Sequence, residues 1–145
     1  MRIAFGTDDV NATTAAVLDF LHKAGHTVIT PATSTNWPDV GESVGSAVVA
    51  GHADYGVVMC WTGTGTAMAA NKVPGVRAAL AWDPWIARGA RLWNDANVLA
   101  LSLKRLAPDV AVEVLQAFLD TPAPDPEEAD NIARLGPRDA PMSGK

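Results

Sequence analysis

Five short apolar runs alternating with helix-patterned segments constrain this chain more tightly than any other feature. Arg2–Phe5, Thr27–Thr30, Tyr55–Met59, Val76–Ala81 and Asn97–Leu101 have the length and near-continuous apolarity of strands covered on both faces. Helical patterns lie between them. Thr14, Val17, Leu18 and Leu21 recur at i, i+3, i+4 and i+7 behind Asn11, a capping residue, and Gly25 suits the position just past that helix. Val40, Val44, Ala47 and Val48 mark a second helix, and Ala67–Lys72 a short third. Asp83-Pro84 opens a fourth, and Pro108 a fifth that runs to about Leu119. Strands that alternate with helices are joined by crossovers, so the pattern predicts an α/β fold with a five-stranded parallel sheet between two helical layers.

In such sheets ligands bind beyond the carboxyl ends of the strands, where the strand order reverses. That rule selects Gly6–Asn11 after the first strand and Cys60–Gly65 after the third, both rich in Gly, Thr and Asp or Cys. Cys60 ends a strand and meets Thr62-Gly63-Thr64-Gly65, a turn that opens a helix. Backbone amides there make an anion site, and the same positive potential favours a thiolate, so Cys60 is either a base or nucleophile or a plain core cysteine. A nicotinamide cofactor is disfavoured: Met68 occupies the third glycine position of the dinucleotide fingerprint, and the turn follows the third strand rather than the first. No GxxxxGK phosphate loop is present, and no His/Cys/Asp spacing suggests a metal.

Composition narrows the class. A length of 145 residues suits one domain with a sizeable core, and 19% charged residues, against roughly 25% in ordinary domains, fits a surface partly covered by a second copy. The single cysteine excludes a disulfide scaffold and points to the cytoplasm. Sixteen acids against eleven bases, with no basic cluster, exclude a nucleic-acid surface. No apolar run approaches the roughly 18 residues of a membrane span, and the first residues are not built as a signal peptide. Half of the ten prolines fall in residues 120–145 among acids. Residues 1–120 are therefore read as the domain and 121–145 as a Pro-rich acidic tail that either dangles or wraps, packing in the latter case on a partner subunit.

Three further stretches complete a resemblance. Cys60–Gly65 with Ala69-Ala70-Asn71-Lys72, then Gly75–Ala79, then Asn94–Ala100 are similar to type B ribose-5-phosphate isomerases and galactose-6-phosphate isomerase subunits. Gly6-Thr7-Asp8 and Trp37-Pro38-Asp39 match that family's Gly-Ser-Asp and Tyr-Pro-Asp. The resemblance covers about residues 1–120. It implies a three-layer Rossmann-like αβα sandwich with strand order 2-1-3-5-4, a homodimer or dimer of dimers with shared sites, and aldose–ketose isomerisation through a cis-enediolate without metal or other cofactor. Carried over by position, Cys60 is the base that moves a proton between C1 and C2. Thr62 serves proton exchange between the oxygens, and the amides of Gly63, Thr64 and Gly65 hold the enediolate oxygen. Asp8 and Asn94 bind sugar hydroxyls.

Departures from the family concentrate around this pocket. Asp9 stands where the family has His, Trp61 where it has Gly, and Trp93 where it has the ring-opening His. The C-terminal Arg-His-x-x-Arg that helps clamp phosphate becomes Asp130–Arg134, and an arginine after the fifth strand becomes Lys104, beside Arg105. Lys104, Arg105 and Arg134 remain as candidate phosphate cations, and Trp37, Trp61 and Trp93 as candidate sugar-stacking surfaces. Trp82 and Trp85 also fall on segments placed around the pocket. His22, His26 and His52 lie at the opposite edge of the sheet and do not replace the missing one. The expected function is therefore isomerisation of an altered sugar, unphosphorylated or open-chain, and poor activity on ribose 5-phosphate. Epimerase or lyase chemistry and a non-catalytic sugar-binding homologue with a Trp-filled site stand as alternatives.

Overall fold

The computed structural model describes residues 1–136. Its elements alternate throughout: β1 (Arg2–Thr7), α1 (Ala12–Lys23), β2 (Thr27–Ile29), α2 (Trp37–Val49), β3 (Tyr55–Cys60), α3 (Thr64–Asn71), β4 (Ala78–Leu80), α4 (Pro84–Asn94), β5 (Val98–Ser102) and α5 (Pro108–Leu119). A 3-10 turn (Pro126–Glu128) and α6 (Ala129–Ala133) follow. All strand pairs are parallel, in the order β2-β1-β3-β5-β4. The register sets Thr7 beside Met59 and Cys60 beside Ser102, so β1, β3 and β5 end level at one rim of the sheet.

Burial explains the strand lengths. The central β3 and β5 are buried almost throughout, whereas the edge strands β2 and β4 are three residues each and only partly covered. On one face Phe5, Met59, Leu99 and Leu101 pack under α1, α4 and α5 through Val17, Leu21, Leu115 and Phe118. On the other, small side chains (Ala4, Val58, Ala100) pack under α2 and α3. This small-residue face lets the helices approach closely. A Cβ on Gly41 of α2 would lie 2.6 Å from both Ala69 Cβ and the Thr66 carbonyl oxygen of α3. The close fit presses the start of α3 against the rim that carries Cys60.

Helix starts follow local chemistry. The Asn11 side chain accepts from the amides of Thr13 and Thr14, while Thr14 accepts from the Asn11 amide, a reciprocal cap. Asp83 accepts from the Ile86 amide, and Pro84 occupies the first turn. Two helices begin earlier than the apolar pattern alone suggests. Helix α2 starts at Trp37, because Pro38 is tolerated in a first turn, and α3 starts at Thr64, directly after Gly63 adopts φ 78°. Strand β4 is shorter than its apolar run, since the Arg77 amide bonds the Asn97 side chain instead of a strand partner.

Beyond α5 the chain folds back on α4. Arg91, buried to 2% exposure, donates to the carbonyls of Thr121, Pro122 and Ala96, to Asp95 and to the Tyr55 hydroxyl. The Asp125 amide donates to the Leu92 carbonyl. The described part of the tail thus packs on its own chain, and residues 137–145 of that segment lie outside the described residues. No described helix is long and apolar enough to cross a membrane.

Candidate active site

At the rim formed by β1 and β3, helices depart to opposite faces of the sheet: α1 follows β1 onto one layer and α3 follows β3 onto the other. The crevice between them is the switch point. Gly63 makes the turn there in the left-handed region, and a Cβ on it would meet Leu80 Cδ1 at 2.6 Å and the Leu101 carbonyl carbon at 3.0 Å. Only glycine fits both the dihedral and the space.

Cys60 is 5% exposed, and its sulfur faces this turn. The Gly63 amide donates to Sγ at 3.1 Å, and the Thr66 hydroxyl lies 3.4 Å from Sγ. Burial pushes the thiol up, but the hydrogen bonds from the Thr66 hydroxyl and the amides of Thr66, Gly63 and Thr62 outweigh it and bring it below the ordinary thiol value. Thr62 and Thr64 are exposed, their hydroxyl oxygens 2.7 Å apart, and the Thr64 amide donates to Thr62 Oγ1 at 3.3 Å. Of the three turn amides, Gly63 is therefore engaged by sulfur and Thr64 by Thr62. Gly65, in the first turn of α3, is one of the amides that helix geometry leaves without an intrahelical acceptor. Trp37 closes the side of that turn: a Cβ on Gly65 would lie 3.0 Å from its ring.

Two carboxylates line the β1 side. The Asp8 amide continues the ladder to the Met59 carbonyl, and Asp8 Oδ1 is buried with no hydrogen-bond partner among the described residues. Burial, and then the charge of Asp9, raise the Asp8 carboxyl above the usual carboxylate value. Asp9 is held below it by the Trp61 indole N–H, 2.9 Å from Oδ2, and by the Val10 amide, with Lys104 contributing. The Lys104 ammonium sits 4.8 Å above the Trp61 ring. Asp8, Asp9, Cys60, Trp61, Thr62, Gly63, Thr64, Gly65, Trp37 and Lys104 thus share one rim.

Trp93, Asn94 and Arg134 do not join them within one chain. Helix α4 starts at the carboxyl rim and runs to the opposite edge of the sheet, so its last residues lie a helix length away. Trp93 packs edge-on against Trp85, with ring centroids 5.4 Å apart, across Gly89, whose Cβ would sit 2.6 Å from the indole. Of the tryptophans expected around the pocket, Trp37 and Trp61 stand on the Cys60 rim, whereas Trp93 lies apart from it within one chain, its ring leaning back along α4 onto Trp85. Asn94 shares a groove there with Arg77 and Leu135, and Arg134 precedes that leucine. Asp95, next to Asn94, adopts φ 48° and receives the guanidinium groups of Arg77 and Arg91, which fixes the end of α4. His22, His26 and His52 also lie away from Cys60; His26 Nδ1 is 3.3 Å from the terminal amine. Among the described residues no group of three or more His, Cys, Asp or Glu could hold a metal.

Thr66 and Ser102 were missed by sequence reasoning. Thr66 lies three residues past Gly63, and in a helix that spacing returns a side chain to the first turn. Ser102 donates to the Trp61 carbonyl at 2.7 Å and accepts from the Arg105 amide, tying β5 to the turn.

A parallel αβα sandwich with a thiol and a glycine-turned helix start at its switch point has the layout of a small-molecule enzyme of the α/β class. The chain belongs to the Ribose/Galactose Isomerase family, whose model matches residues 3–135. It is a sugar isomerase by that membership. YwlF of Bacillus subtilis is 40% identical over 88 residues, 61% of this chain and 59% of YwlF. D-erythrulose-4-phosphate isomerase of Pectobacterium atrosepticum is 33% identical, covering 94% of this chain and 93% of its own. The solved ribose-5-phosphate isomerase B of Clostridium thermocellum superposes with a TM-score of 0.88 at 36% identity, covering 94% of this chain and 95% of that one.

Proposed function

We propose that the protein interconverts an open-chain ketose phosphate and its aldose through a cis-enediolate, with Cys60 as the base. The observation that carries this reading is the sulfur at the switch point, hydrogen-bonded by the Gly63 amide and adjacent to the Thr66 hydroxyl at the start of α3. The thiolate removes a proton from the carbon beside the carbonyl. The C–H electron pair forms the enediolate double bond, and the carbonyl oxygen takes the charge. That oxygen is stabilised at the α3 N-terminus, where the Gly65 amide is free of intrahelical acceptors. Thr62, in contact with Thr64, passes the hydroxyl proton between the two oxygens, and Cys60 returns its proton to the neighbouring carbon.

Substrate form follows from Trp93, which cannot open a sugar ring as a histidine would. A four-carbon sugar esterified at O4 has no hydroxyl placed to close a five-membered ring, so it arrives open. D-erythrulose 4-phosphate, the substrate in the Pectobacterium relative's name, is such a sugar. A phosphate is compatible with Asp9, because Trp61 and Lys104 already engage that carboxylate. Ribose 5-phosphate, which closes to a furanose, is a poor substrate on this reading. Asn94, Trp93 and Arg134 complete the site from a second copy, so the working unit is a homodimer.

Turnover in D₂O tests the assignment. With D-erythrulose 4-phosphate, deuterium enters at the exchanging carbon, and Cys60→Ala lowers the rate by roughly 10²–10⁴-fold, the usual worth of a positioned base, while the circular dichroism spectrum is unchanged. Undiminished exchange in Cys60→Ala rules out the thiol as base.

A further inference from the structure

Trp61 is 57% exposed, yet it is fixed from three strand ends. Its carbonyl accepts from the Ser102 hydroxyl at 2.7 Å and from the Lys104 amide at 3.2 Å, both at the end of β5. Its indole N–H donates to Asp9, in the loop after β1, and its ring carries the Lys104 ammonium at 4.8 Å. An exposed tryptophan ordinarily gains little from one geometry; here a charge-assisted hydrogen bond on its edge and a cation over its face both hold the ring. The residue directly follows Cys60 at the end of β3, so its ring stands on the same rim as the sulfur.

Lys104 is the cation that the ring holds on this rim. Its main chain is bonded to Trp61 and its side chain rests on the indole. The position of the ammonium is therefore set by Trp61 rather than by a flexible lysine alone.

We infer that Trp61 is a specificity-determining residue: held by Asp9 and bearing Lys104, its ring limits the distance between reacting carbons and phosphate and so selects a four-carbon over a five-carbon sugar phosphate. This rests on the isomerase reading above. Asp9, which opposes an anion if bare, serves in this arrangement as the anchor that keeps the ring across the crevice. Removing the ring opens the length of the site by more than one carbon, and one carbon alone is worth about 10–200-fold in discrimination.

The test compares kcat/KM for D-erythrulose 4-phosphate and ribose 5-phosphate in wild type, Trp61→Gly and Trp61→Phe. Wild type favours the four-carbon substrate, and Trp61→Gly shifts the ratio toward ribose 5-phosphate by about tenfold or more, mainly through KM. Trp61→Phe, which keeps a ring but loses the bond to Asp9, falls between them and keeps the test valid if the glycine variant does not fold. A ratio in both variants within about twofold of wild type overturns the inference, as does a wild type that already prefers ribose 5-phosphate. A wild type that isomerises neither sugar overturns the isomerase reading itself, and this inference with it.

Discussion

Thr66 sets its hydroxyl beside the Cys60 sulfur, 3.4 Å from Sγ. Its hydroxyl is the largest of the contributions that lower the thiol, and together with the three amides it more than offsets burial, which alone would push the group upward. A base must be deprotonated to act, so kcat/KM rises with pH through the Cys60 pKa and levels off above it. Thr66→Val keeps the shape and removes the donor, leaving burial less opposed. The rising limb of the pH profile in the variant therefore moves to higher pH, and so does the pH dependence of alkylation by iodoacetamide. Identical limbs in wild type and Thr66→Val would show that the hydroxyl does not tune the sulfur. The place of Cys60 at the end of β3, before a glycine turn, was legible in the sequence because a lone cysteine ended an apolar run before glycines. Thr66 was not, because Thr62-Gly63-Thr64-Gly65-Thr66 reads as loop until the left-handed Gly63 shows that a helix starts behind it.

The α2–α3 contact places this turn. Gly41 lies against Ala69 and the backbone of Thr66 and Ala70, so a larger residue meets main chain that cannot swing aside. Gly41→Val displaces α3 from the rim, with a destabilisation of about 1–3 kcal/mol and a fall in kcat beyond what the lost folded fraction explains. Thermal unfolding and turnover of the same preparation check both parts; a variant with wild-type Tm and kcat would show that the close approach is dispensable. Helices with chemical punctuation were readable from sequence, as Asn11, Asp83-Pro84 and Pro108 show. Starts without it were not. Trp37-Pro38 precedes the apolar stripe of α2 by a turn, and Thr64 sits among glycines. Strand order followed from the resemblance rather than from local pattern, because apolar runs carry no information about which neighbour they pair with.

Across the whole molecule, the candidate site residues divide between two ends of one sheet. Asp8, Cys60, Thr62 and Lys104 occupy the carboxyl rim, and Trp93 and Asn94 sit where α4 ends on the other side. No motion of a packed α/β sandwich brings those ends together in one chain, since β3 and β5 between them are buried almost throughout. A two-fold pair of chains can, by setting the α4 end of each copy against the rim of the other. The outer side of α4 suits such a contact: Trp85 is 67% exposed and Trp93 41%, and their rings meet edge to face to form one apolar patch. Complementation tests this directly. Cys60→Ala and Asn94→Ala each remove one half of every site and are each close to inactive alone. After the two are unfolded together, mixed and refolded, random pairing makes half of the dimers mixed, and each mixed dimer carries one intact site and one doubly defective site. Activity then returns to about a quarter of wild type, as two-fold pairing requires, and sedimentation shows the dimer mass. Recovery no greater than the average of the two variants alone would mean that each site is completed within a single chain.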